Sequence, residues 1–522
     1  MRQNRIYRAW ACGLVLMTAV GMTACGTGSS KAPAASESGY QIKGTDDKEE
    51  TALITCGRDG ITVAGEGAVN DGGNITISQS GTYRLKGALE EGRIEVDVKE
   101  TDAVTLVFDG FEITGSGYPA VYGGKCEGVT LVLEDGTANR VTDSEIYDLP
   151  EGEDEPDAAV FFQSDLTIQG EGTLEVNGNY SDGIRSKGNL KVDSGILKVS
   201  AKEDGIKGKD SLVVDGGTIA VAAGDDGVKS SKGGVIINGG TLNVEESEEG
   251  IEAKTIDING GSVTIRSNDD GINAVDPDSK AEESDNMEKM SSFEAAEGVY
   301  VRISGGIVTI HADADGVDSN GDLYVDGGEL YITGPSGGGD GALDYNGNGI
   351  ITGGVVAAAG SSRMAQGFSE GSKQPGIMAY FDSPKEAGTQ IVLEDEAGTP
   401  LVSFTPQAAY ECVVLSSPQL EAGNTYRISS GDEIIETVLE ESQNVVGTVK
   451  AGREMNGAAG GPRMGGQENG RGMGKRQEGM EPGQKPEGMD EALPQDFDAG
   501  ERTPKKPAGK PDGGGEPANP TE

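Results

Sequence analysis

The sequence is poor in the residues that build a bulky globular core. Its 522 residues include one tryptophan and one histidine, and aromatic residues make up only 5%. An α/β enzyme of this length normally buries many more large side chains, so the composition predicts a thin, elongated core. Histidine-dependent hydrolysis has only His311 available, and the place of His311 at a strand end favours a structural role.

Positive charge is also scarce. The chain has 42 Lys and Arg residues against 88 Asp and Glu residues, which gives a formal net charge of -46. Such a surface repels nucleic acid and anionic headgroups and attracts cations. We therefore expect no DNA or RNA partner, and we expect divalent metal ions as ligands.

Cysteines are too few and too widely spaced for a disulfide framework. Cys56, Cys126 and Cys412 lie far apart in the body of the chain and are odd in number. No metal-binding cysteine pair is present either. We interpret these three residues as small buried hydrophobic side chains.

Long apolar runs are absent except at residues 9–22, which follow three arginines and precede Thr23-Ala24-Cys25-Gly26. This run is too short to span a bilayer but suits a signal peptide. Its end resembles a bacterial lipobox. We predict a lipoprotein signal peptide over 1–24, lipidation of Cys25, and a flexible tether over 25–50. The protein would then be held on the extracellular face of the cell membrane by its lipid anchor alone. The alternative is an ordinary signal peptide with a chance cysteine.

A carboxylate-glycine turn recurs at intervals of about 22 residues. The turn acids are Asp182, Asp204, Asp226, Glu249, Asp270, Asp315 and Asp340. Between turns, alternating segments flank a Gly-Gly pair, as in Ile237-Asn-Gly-Gly-Thr-Leu-Asn-Val. Alternation gives short strands with one inward face, and the glycines supply tight corners. The sequence therefore predicts an all-β protein, a right-handed parallel β-helix of about a dozen coils.

The repeats also predict inward ladders and domain boundaries. One ladder is Val214, Ile237, Ile258, Ile303 and Val325, and another is Val221, Val244, Ile265, Ile310 and Ile332. We assign the helix to residues 51–375, with an inserted charged segment at 275–297. Residues 376–447 are predicted to be a small β module that covers the last coil. Residues 448–522, rich in Gly, Met, Pro, Glu and Lys, are predicted to be disordered.

Stacked turn acids about 5 Å apart would repel by roughly 3 kcal/mol per pair at an effective dielectric near 20. Three residues after these acids, the first coils carry Arg185, Lys207 and Lys229, whereas later coils carry Glu252, Asn273 and Asp318. The second half therefore lacks counter-ions, and its oxygen-rich composition suits Ca²⁺. The predicted ligands are Asp204, Asp226, Asp269, Asp270, Asp313, Asp315, Asp318, Asn320, Asp340 and Asp344. The alternative for any single Asp is a turn residue that caps local amides.

Several motifs together resemble a known family. These are Asp315-Gly-Val-Asp-Ser-Asn-Gly, Gly334-Pro335, Gly341-Ala-Leu-Asp-Tyr, Thr352-Gly-Gly, Gly360-Ser and Met364-Ala-Gln. They resemble a family of secreted carbohydrate-binding β-helix proteins, over roughly residues 51–447. The resemblance implies binding of cellulose and acidic pectic polysaccharide, bound calcium, and a fold similar to family 9 pectate lyases. The inserted segment and the tail depart from the family pattern, so their roles stay open.

Two kinds of glycan contact follow. Tyr324 and Tyr331 occupy outward positions of one coil and predict a small aromatic platform for neutral glucans. Arg185, Lys207 and Lys229 would pair with acidic sugars or, alternatively, with the turn acids.

We therefore expect a monomeric polysaccharide-binding protein for pectin-like or cellulosic glycans. One alternative is a calcium-dependent lyase with Lys207 or Lys229 as base, although neighbouring acids would raise the lysine pKa and oppose that role. Hydrolysis by paired carboxylates has no pair that stands out. A structural adhesion protein of the envelope is the third alternative.

Overall fold

The computed structural model describes residues 50–278, 294–440 and 443–447. The predicted signal peptide, Cys25, the tether and the tail lie outside these residues. The described chain is all-β, and no helix in it is long and apolar enough to cross a membrane. Its strands wind into a parallel β-helix with three strands per coil, which confirms the predicted fold class.

The three strands of each coil belong to three faces, which we call face 1, face 2 and face 3 in chain order. Face 1 consists of Asn74–Ile77, Arg93–Val96, Val121–Gly123, Ala158–Phe162, Asp182–Ser186, Ile206–Gly208, Val228–Ser230, Ile251–Ala253, Ile272–Ala274, Val317–Ser319 and Leu343–Tyr345. Face 2 consists of Gly128–Leu133, Leu166–Gly170, Asn189–Val192, Ser211–Val214, Gly234–Ile237, Thr255–Ile258, Tyr300–Ile303, Asp322–Val325 and Gly349–Ile351. Face 3 consists of Ala138–Thr142, Thr173–Gly178, Ile196–Ala201, Thr218–Ala222, Thr241–Glu246, Ser262–Ser267, Ile307–Ala312, Glu329–Thr333 and Val355–Gly360. In the first two coils, the long strands Gly81–Glu90 and Ala103–Thr114 continue through faces 2 and 3.

The inward ladders have the predicted register. On face 2, Val214, Ile237 and Ile258 are direct partners, and Ile303 and Val325 continue the row. On face 3, the row from Val221 to Ile332 is continuous in the same way. All ten side chains are buried. Because every coil places an aliphatic residue at the same depth, the core is a column of stacked rows.

The corner between faces 2 and 3 requires glycine for two reasons. Gly240 has φ 80° and Gly261 has φ 82°, a backbone conformation that other residues adopt only with strain. A Cβ on Gly240 would also lie 2.7 Å from the carbonyl oxygen of Gly217 in the preceding coil. The Gly-Gly motif therefore marks a place where successive coils approach too closely for any side chain.

The inserted segment sits inside a single coil. Ile272 on face 1 pairs directly with Val317, so the interval of 45 residues between Asp270 and Asp315 is one coil with an insertion. Residues 279–293 of this insertion lie outside the described residues.

Both ends of the helix carry antiparallel strands. At the start, Ala52–Gly57 forms a hairpin with Gly60–Gly65 and also pairs in parallel with Gly81–Glu90. The strand Ala68–Asp71 pairs antiparallel with Asn74–Ile77. These pairings cover backbone donors and acceptors that an open coil would leave exposed.

At the other end, Tyr410–Ser416 pairs antiparallel with Val355–Gly360, the last strand of face 3. It also pairs antiparallel with Gly376–Lys385, which Gln443–Val446 joins in parallel. A separate antiparallel sheet contains Pro400–Phe404, Ile391–Glu394, Thr425–Ser430 and Glu433–Val438. The module thus terminates the helix by continuing its sheet.

The three described cysteines are free. Cys56 and Cys412 are buried, and Cys126 is half-buried with its Sγ 2.9 Å from the Ser164 hydroxyl. Burial raises the pKa of Cys56 to about 11. Cys56 and Cys412 thus behave as small hydrophobic side chains, as predicted.

Candidate functional site

The outward side chains of face 1 form one continuous row, which we call the face-1 row. From Tyr122 onward, the direct partners on successive coils are Tyr122, Phe161, Arg185, Lys207, Lys229, Glu252, Asn273, Asp318 and Asp344. The residues that follow the turn acids by three positions therefore stack as neighbours. The predicted change from basic to acidic and neutral residues lies along this single row.

The turn acids hold the coils together through their side chains. The backbone N–H of Asp204 donates to Oδ1 of Asp182 over 3.1 Å, and the N–H of Asp226 donates to Oδ1 of Asp204 over 3.2 Å. The N–H of Asp315 donates to Oδ1 of Asp270 over 2.9 Å. Each of these carboxylates thus caps the next coil as well as forming a turn.

The glycine after the turn acid is required by space. A Cβ on Gly227 would lie 2.6 Å from the Val244 side chain and 2.7 Å from the Gly250 carbonyl oxygen. Its N–H donates to the carbonyl oxygen of Glu249 in the next coil. The Asp-Gly dipeptide therefore combines a carboxylate that bonds between coils with a residue small enough to let the coils close.

The last predicted turn acid, Asp340, was assigned to the wrong position. Val317 pairs with Leu343, so the residue equivalent to Asp315 in the last coil is Gly341. The N–H of Gly341 donates to Oδ1 of Asp315 over 2.6 Å, as the ladder requires. The glycine-rich loop before Asp340 lengthens this coil and shifts the apparent motif by one residue. Asp340 itself is half-buried and lies close enough to raise the pKa of Asp344.

In the first half of the face-1 row, basic side chains neutralise the turn acids. Lys207 lies 2.5 Å from Asp204 and 3.4 Å from Asp182. Lys229 contacts Asp226 and also lies 3.0 Å from Glu252. Burial alone would lower the pKa of these lysines. The adjoining carboxylates have the larger effect and raise the pKa of both.

The same contacts act on the acids. Despite burial, Lys207 and Lys229 hold the pKa of Asp204 below its usual range. Neutralisation is incomplete in both adjoining coils, because burial and the Asp204 carboxylate raise the pKa of Asp182 to about 7, and burial raises the pKa of Asp226 to about 9. Arg185 contacts Asp157 and lies 2.8 Å from Glu155 and 3.7 Å from Asp182.

These contacts revise three sequence-based assignments. Arg185, Lys207 and Lys229 were predicted to bind a ligand or the turn acids, and the structure places them on the turn acids. Asp204 and Asp226, predicted as metal ligands, contact lysine ammonium groups, and one carboxylate oxygen each from Asp204, Asp225 and Asp226 also lies within 4.8 Å of the others. A lyase base must lose a proton near neutral pH, and the raised pKa of both lysines opposes that role.

The ladder is interrupted at Glu249. Facing Val221 and Ala222, the strand Thr241–Glu246 contains one extra residue, so its register shifts. In the coil that precedes this β-bulge, Oδ1 of Asp226 is buried without a hydrogen-bond partner among the described residues. The bulge therefore separates two halves of the acid ladder.

In the second half, three carboxylates converge without a basic partner. One oxygen each from Asp270, Asp315 and Asp318 lies within 4.8 Å of the others. Among the described residues, no basic side chain forms an ion pair with any of them. Burial, followed by repulsion from Asp318, raises the pKa of Asp270 to about 7, and burial, followed by repulsion from Asp344 and Asp269, raises the pKa of Asp318 to about 7. Burial raises the pKa of Asp315 to about 8.

Asn273 supplies an amide oxygen on the strand that pairs with the strand of Asp318, three residues after Asp270. It stands between Glu252 and Asp318 in the face-1 row and is 9% exposed. Its Nδ2 donates to Glu252 over 3.4 Å, whereas its Oδ1 is buried and has no hydrogen-bond partner in the described chain. Three converging carboxylates, with an unpaired buried amide carbonyl on the row neighbour of Asp318, are the kind of oxygen donors that a hard cation such as Ca²⁺ prefers. We call Asp270, Asn273, Asp315 and Asp318 the acid cluster.

The other predicted metal ligands lie outside the acid cluster. Asp344 follows Asp318 in the row and accepts a hydrogen bond from Gln366 over 2.7 Å. Asp269 and Asp313 are exposed. Asn320 lies at the next corner, where its side-chain Oδ1 accepts a hydrogen bond from Nδ2 of Asn346 over 3.1 Å.

The predicted aromatic platform does not form. Tyr324 lies on face 2, beneath the Arg302 guanidinium at 4.5 Å. Tyr331 lies on face 3 and stacks on Phe404 of the C-terminal module at 5.7 Å. The two rings are therefore on different faces, and the second is partly covered. The half-buried His311 lies on face 3 beside Arg266.

Aromatic side chains gather elsewhere, at the first coils of face 1. The group consists of Tyr118, Tyr122, Tyr147, Phe161 and Tyr180, each within 6.2 Å of another ring centroid. Sequence reasoning missed this group because the acidic loop at 143–157 separates its members. The available signal was the aromatic residue before Arg185 in the face-1 row.

Comparison with known proteins identifies a matching family and a relative. The family of carbohydrate-binding domain-containing proteins matches residues 71–341. A carbohydrate-binding domain-containing protein from Acetivibrio thermocellus is 32% identical over 191 residues, which are 36% of this chain and 63% of that relative. The chain thus spans less than two thirds of that relative's length.

One solved structure is similar, a gadolinium derivative of the polysaccharide lyase-like protein from C. thermocellum. It is 24% identical with a TM-score of 0.39, and the match covers 58% of this chain and 97% of that chain. The family match extends over more than half of the 522 residues. This chain belongs to the family of carbohydrate-binding domain-containing proteins.

Proposed function

We propose that the protein binds pectin-like or cellulosic polysaccharide and that Ca²⁺ at the acid cluster supports binding of the acidic chains. The observation that carries this proposal is the convergence of the carboxylates of Asp270, Asp315 and Asp318, next in the face-1 row to Asn273 with its unpaired Oδ1. Without a bound cation, these carboxylates would repel a uronate polymer.

Calcium would relieve that repulsion. The acid cluster offers carboxylate and amide oxygens, the ligands that Ca²⁺ takes in sets of six to eight. Four side chains leave room for oxygen ligands from water or from a sugar carboxylate. Residues of this chain would thereby hold the ion, and the ion would supply the positive charge that a uronate needs.

The test is the retardation of the protein in native gels containing polygalacturonate, with Ca²⁺ or with a chelator. We expect retardation in Ca²⁺ and its loss in chelator. Asp318→Asn should abolish the Ca²⁺-dependent part, whereas Asp313→Asn should not, because Asp313 is exposed outside the acid cluster. Retardation that is equal in Ca²⁺ and in chelator, and equal in wild type and in Asp318→Asn, would exclude the metal site.

The same incubation distinguishes binding from lyase chemistry. Elimination from a uronate creates an unsaturated product that absorbs ultraviolet light. We expect no rise in absorbance, since the pKa of Lys207 and of Lys229 is raised. A rise with Ca²⁺ that disappears in a Lys207→Met or Lys229→Met variant would establish a lyase instead.

We further propose that the protein acts at the outer face of the cell membrane, anchored through lipid on Cys25. The support is the lipobox-like sequence Thr23-Ala24-Cys25-Gly26 after the apolar run of residues 9–22. Cys25→Ser should shift the protein from the membrane fraction to the soluble fraction. Equal distribution of wild type and variant would contradict the anchor.

A further inference from the structure

A cleft opens beside the aromatic group at the start of the face-1 row. It is lined by Tyr118, Tyr122, Phe161 and Gln163 and by residues 152–156 of the acidic loop, and its volume is about 390 Å³. This volume falls in the range of small-molecule sites. Phe161 and Asn273 are five coils apart in the face-1 row, roughly 24 Å at about 4.8 Å per coil. The cleft is thus separate from the acid cluster.

The aromatic walls of the cleft are held in a fixed arrangement. The rings of Tyr122 and Phe161 are parallel within 6°, with centroids 6.0 Å apart, because the two residues are direct partners on neighbouring coils. The Tyr118 ring meets Tyr122 edge-on at 5.4 Å. Gln163 donates to the Tyr122 hydroxyl over 3.0 Å. Pre-positioned rings lose little conformational entropy when the C–H face of a sugar packs on them.

Two guanidinium groups back these rings. Arg93 lies over Tyr118 at 4.9 Å, and Arg185 lies over Phe161 at 5.9 Å. Nε of each arginine is buried and has no hydrogen-bond partner in the described chain. A cleft walled by rings that are fixed in this way has the features of a binding site for a sugar ring.

The charge around the opening selects the kind of sugar. Glu153 and Asp154 are exposed on the loop that closes the cleft. Glu155 of the same loop is ion-paired with Arg185 and Lys187, so these cations do not serve an incoming anion. Exposed carboxylates repel a uronate but accept hydrogen bonds from sugar hydroxyls.

We infer that this cleft is a second glycan subsite, which takes a neutral pyranose ring against Tyr122 and does so without calcium. The inference rests on the proposed glycan binding and adds to it a site and a sugar class. Neutral and acidic chains would then meet opposite ends of the same face-1 row.

The experiment titrates the full chain with cellohexaose and with hexagalacturonate, each in Ca²⁺ and in chelator. Wild type should bind cellohexaose equally in both buffers and hexagalacturonate only in Ca²⁺. Tyr122→Ala should weaken cellohexaose binding about tenfold or more, by removal of the ring that the sugar packs on. Tyr122→Trp should retain binding and report it through a change in tryptophan fluorescence, because Trp10, the one tryptophan of the sequence, lies in the predicted signal peptide.

Tyr324→Ala is the matched control, since Tyr324 is also an outward tyrosine that meets a second tyrosine edge-on, with Tyr300 at 6.3 Å, but on face 2. It should bind cellohexaose as wild type does. Folding of Tyr122→Ala is verified by an unchanged thermal midpoint and an unchanged response to Ca²⁺.

The outcomes separate this inference from the proposed function. Unchanged cellohexaose binding in Tyr122→Ala, or loss of cellohexaose binding in chelator, overturns the neutral subsite while Ca²⁺-dependent binding of hexagalacturonate stands. Failure of wild type to bind either sugar in either buffer overturns both.

Discussion

The two halves of the face-1 row are built on the same backbone but solve the same electrostatic problem differently. In the first half, Lys207 stands three residues after Asp204 and lies 2.5 Å from its carboxylate. In the second half, Asp318 stands three residues after Asp315, and the pKa of both acids is raised. One half carries its counter-ions in the chain, whereas in the other half we propose that an external cation takes their place.

The difference shows that the carboxylate ladder has two separable roles. In both halves, a turn carboxylate accepts a hydrogen bond from the next coil, as Asp204 does from Asp226 and Asp270 does from Asp315. This structural role does not depend on the neighbouring charge. The charge three residues later decides whether the ladder is internally neutralised or open to a metal ion.

The largest expected effect comes from removing a counter-ion in the first half. Lys229→Met would leave Asp226 and Glu252 without the ammonium group that joins them. Removing one partner of a mostly buried ion pair costs about 3 kcal/mol of the free energy of unfolding. Urea denaturation of the metal-free protein measures this loss.

Lys191→Met is the matched control for that experiment. Lys191 also bridges two acids, Asp193 at 2.6 Å and Asp215 at 2.9 Å, but its side chain is 42% exposed. Exposed pairs contribute less than about 1 kcal/mol. Equal losses in the two variants would show that burial does not distinguish the first half.

The second expected effect comes from giving the second half a counter-ion of its own. Asp318→Lys would place an ammonium group three residues after Asp315, as Lys207 follows Asp204. We expect the metal-free protein to gain about 2 kcal/mol, because one carboxylate is removed and two are paired. The rise in thermal midpoint on adding Ca²⁺ should disappear. A variant that is less stable without metal, or still stabilised by Ca²⁺, would refute the equivalence of the two halves.

Much of this comparison could be predicted from the sequence because it depends on spacing. The period of about 22 residues and the alternation around Gly-Gly determine which residues stack, so the inward ladders are as predicted. The row from Arg185 to Asp318 follows from the same count. Counting also identified Asp270, Asp315 and Asp318, which the structure brings together.

The sequence fails where a coil changes length. The loop before Asp340 shifts the last turn motif by one residue, so Gly341 takes the ladder position. The loop between Tyr122 and Phe161 hides their direct pairing. The role of Asn273 depends on which of its atoms finds a partner, and no spacing rule reveals that.

The third expected effect is a pH dependence to which the acid cluster of the second half contributes. The folded-state pKa values of Asp270, Asp315 and Asp318 are about 7, 8 and 7, against about 3.9 in an unfolded chain. Between about pH 4 and 8 the folded state therefore binds more protons, so stability falls as pH rises through that window.

Urea denaturation of metal-free protein at pH 5 and pH 8 tests this dependence. We expect a loss of at least about 1.4 kcal/mol at the higher pH, the equivalent of one pKa unit. Saturating Ca²⁺ should reduce the loss, because the ion favours the ionised carboxylates. The free energy of unfolding should also change less with pH in Asp318→Lys than in wild type. An equal change in that variant would place the titrating groups elsewhere in the molecule.

The smallest expected effect concerns the bulge that separates the halves. Glu245 is the extra residue of Thr241–Glu246, exposed and opposite no partner between Val244 and Glu246. Deleting Glu245 would restore an interval of 22 residues between Asp226 and the next turn acid. The N–H of that acid could then donate to Oδ1 of Asp226, which has no partner among the described residues.

A hydrogen bond of this kind contributes about 1 kcal/mol, so the deletion should stabilise the protein by that amount in urea. Replacing Glu245 with Gln removes the charge but keeps the extra residue, so stability should stay near that of wild type. If the deletion destabilises the protein and leaves Ca²⁺ binding weaker, the bulge has a different purpose. It would then hold the acid cluster in a register that a continuous ladder cannot provide.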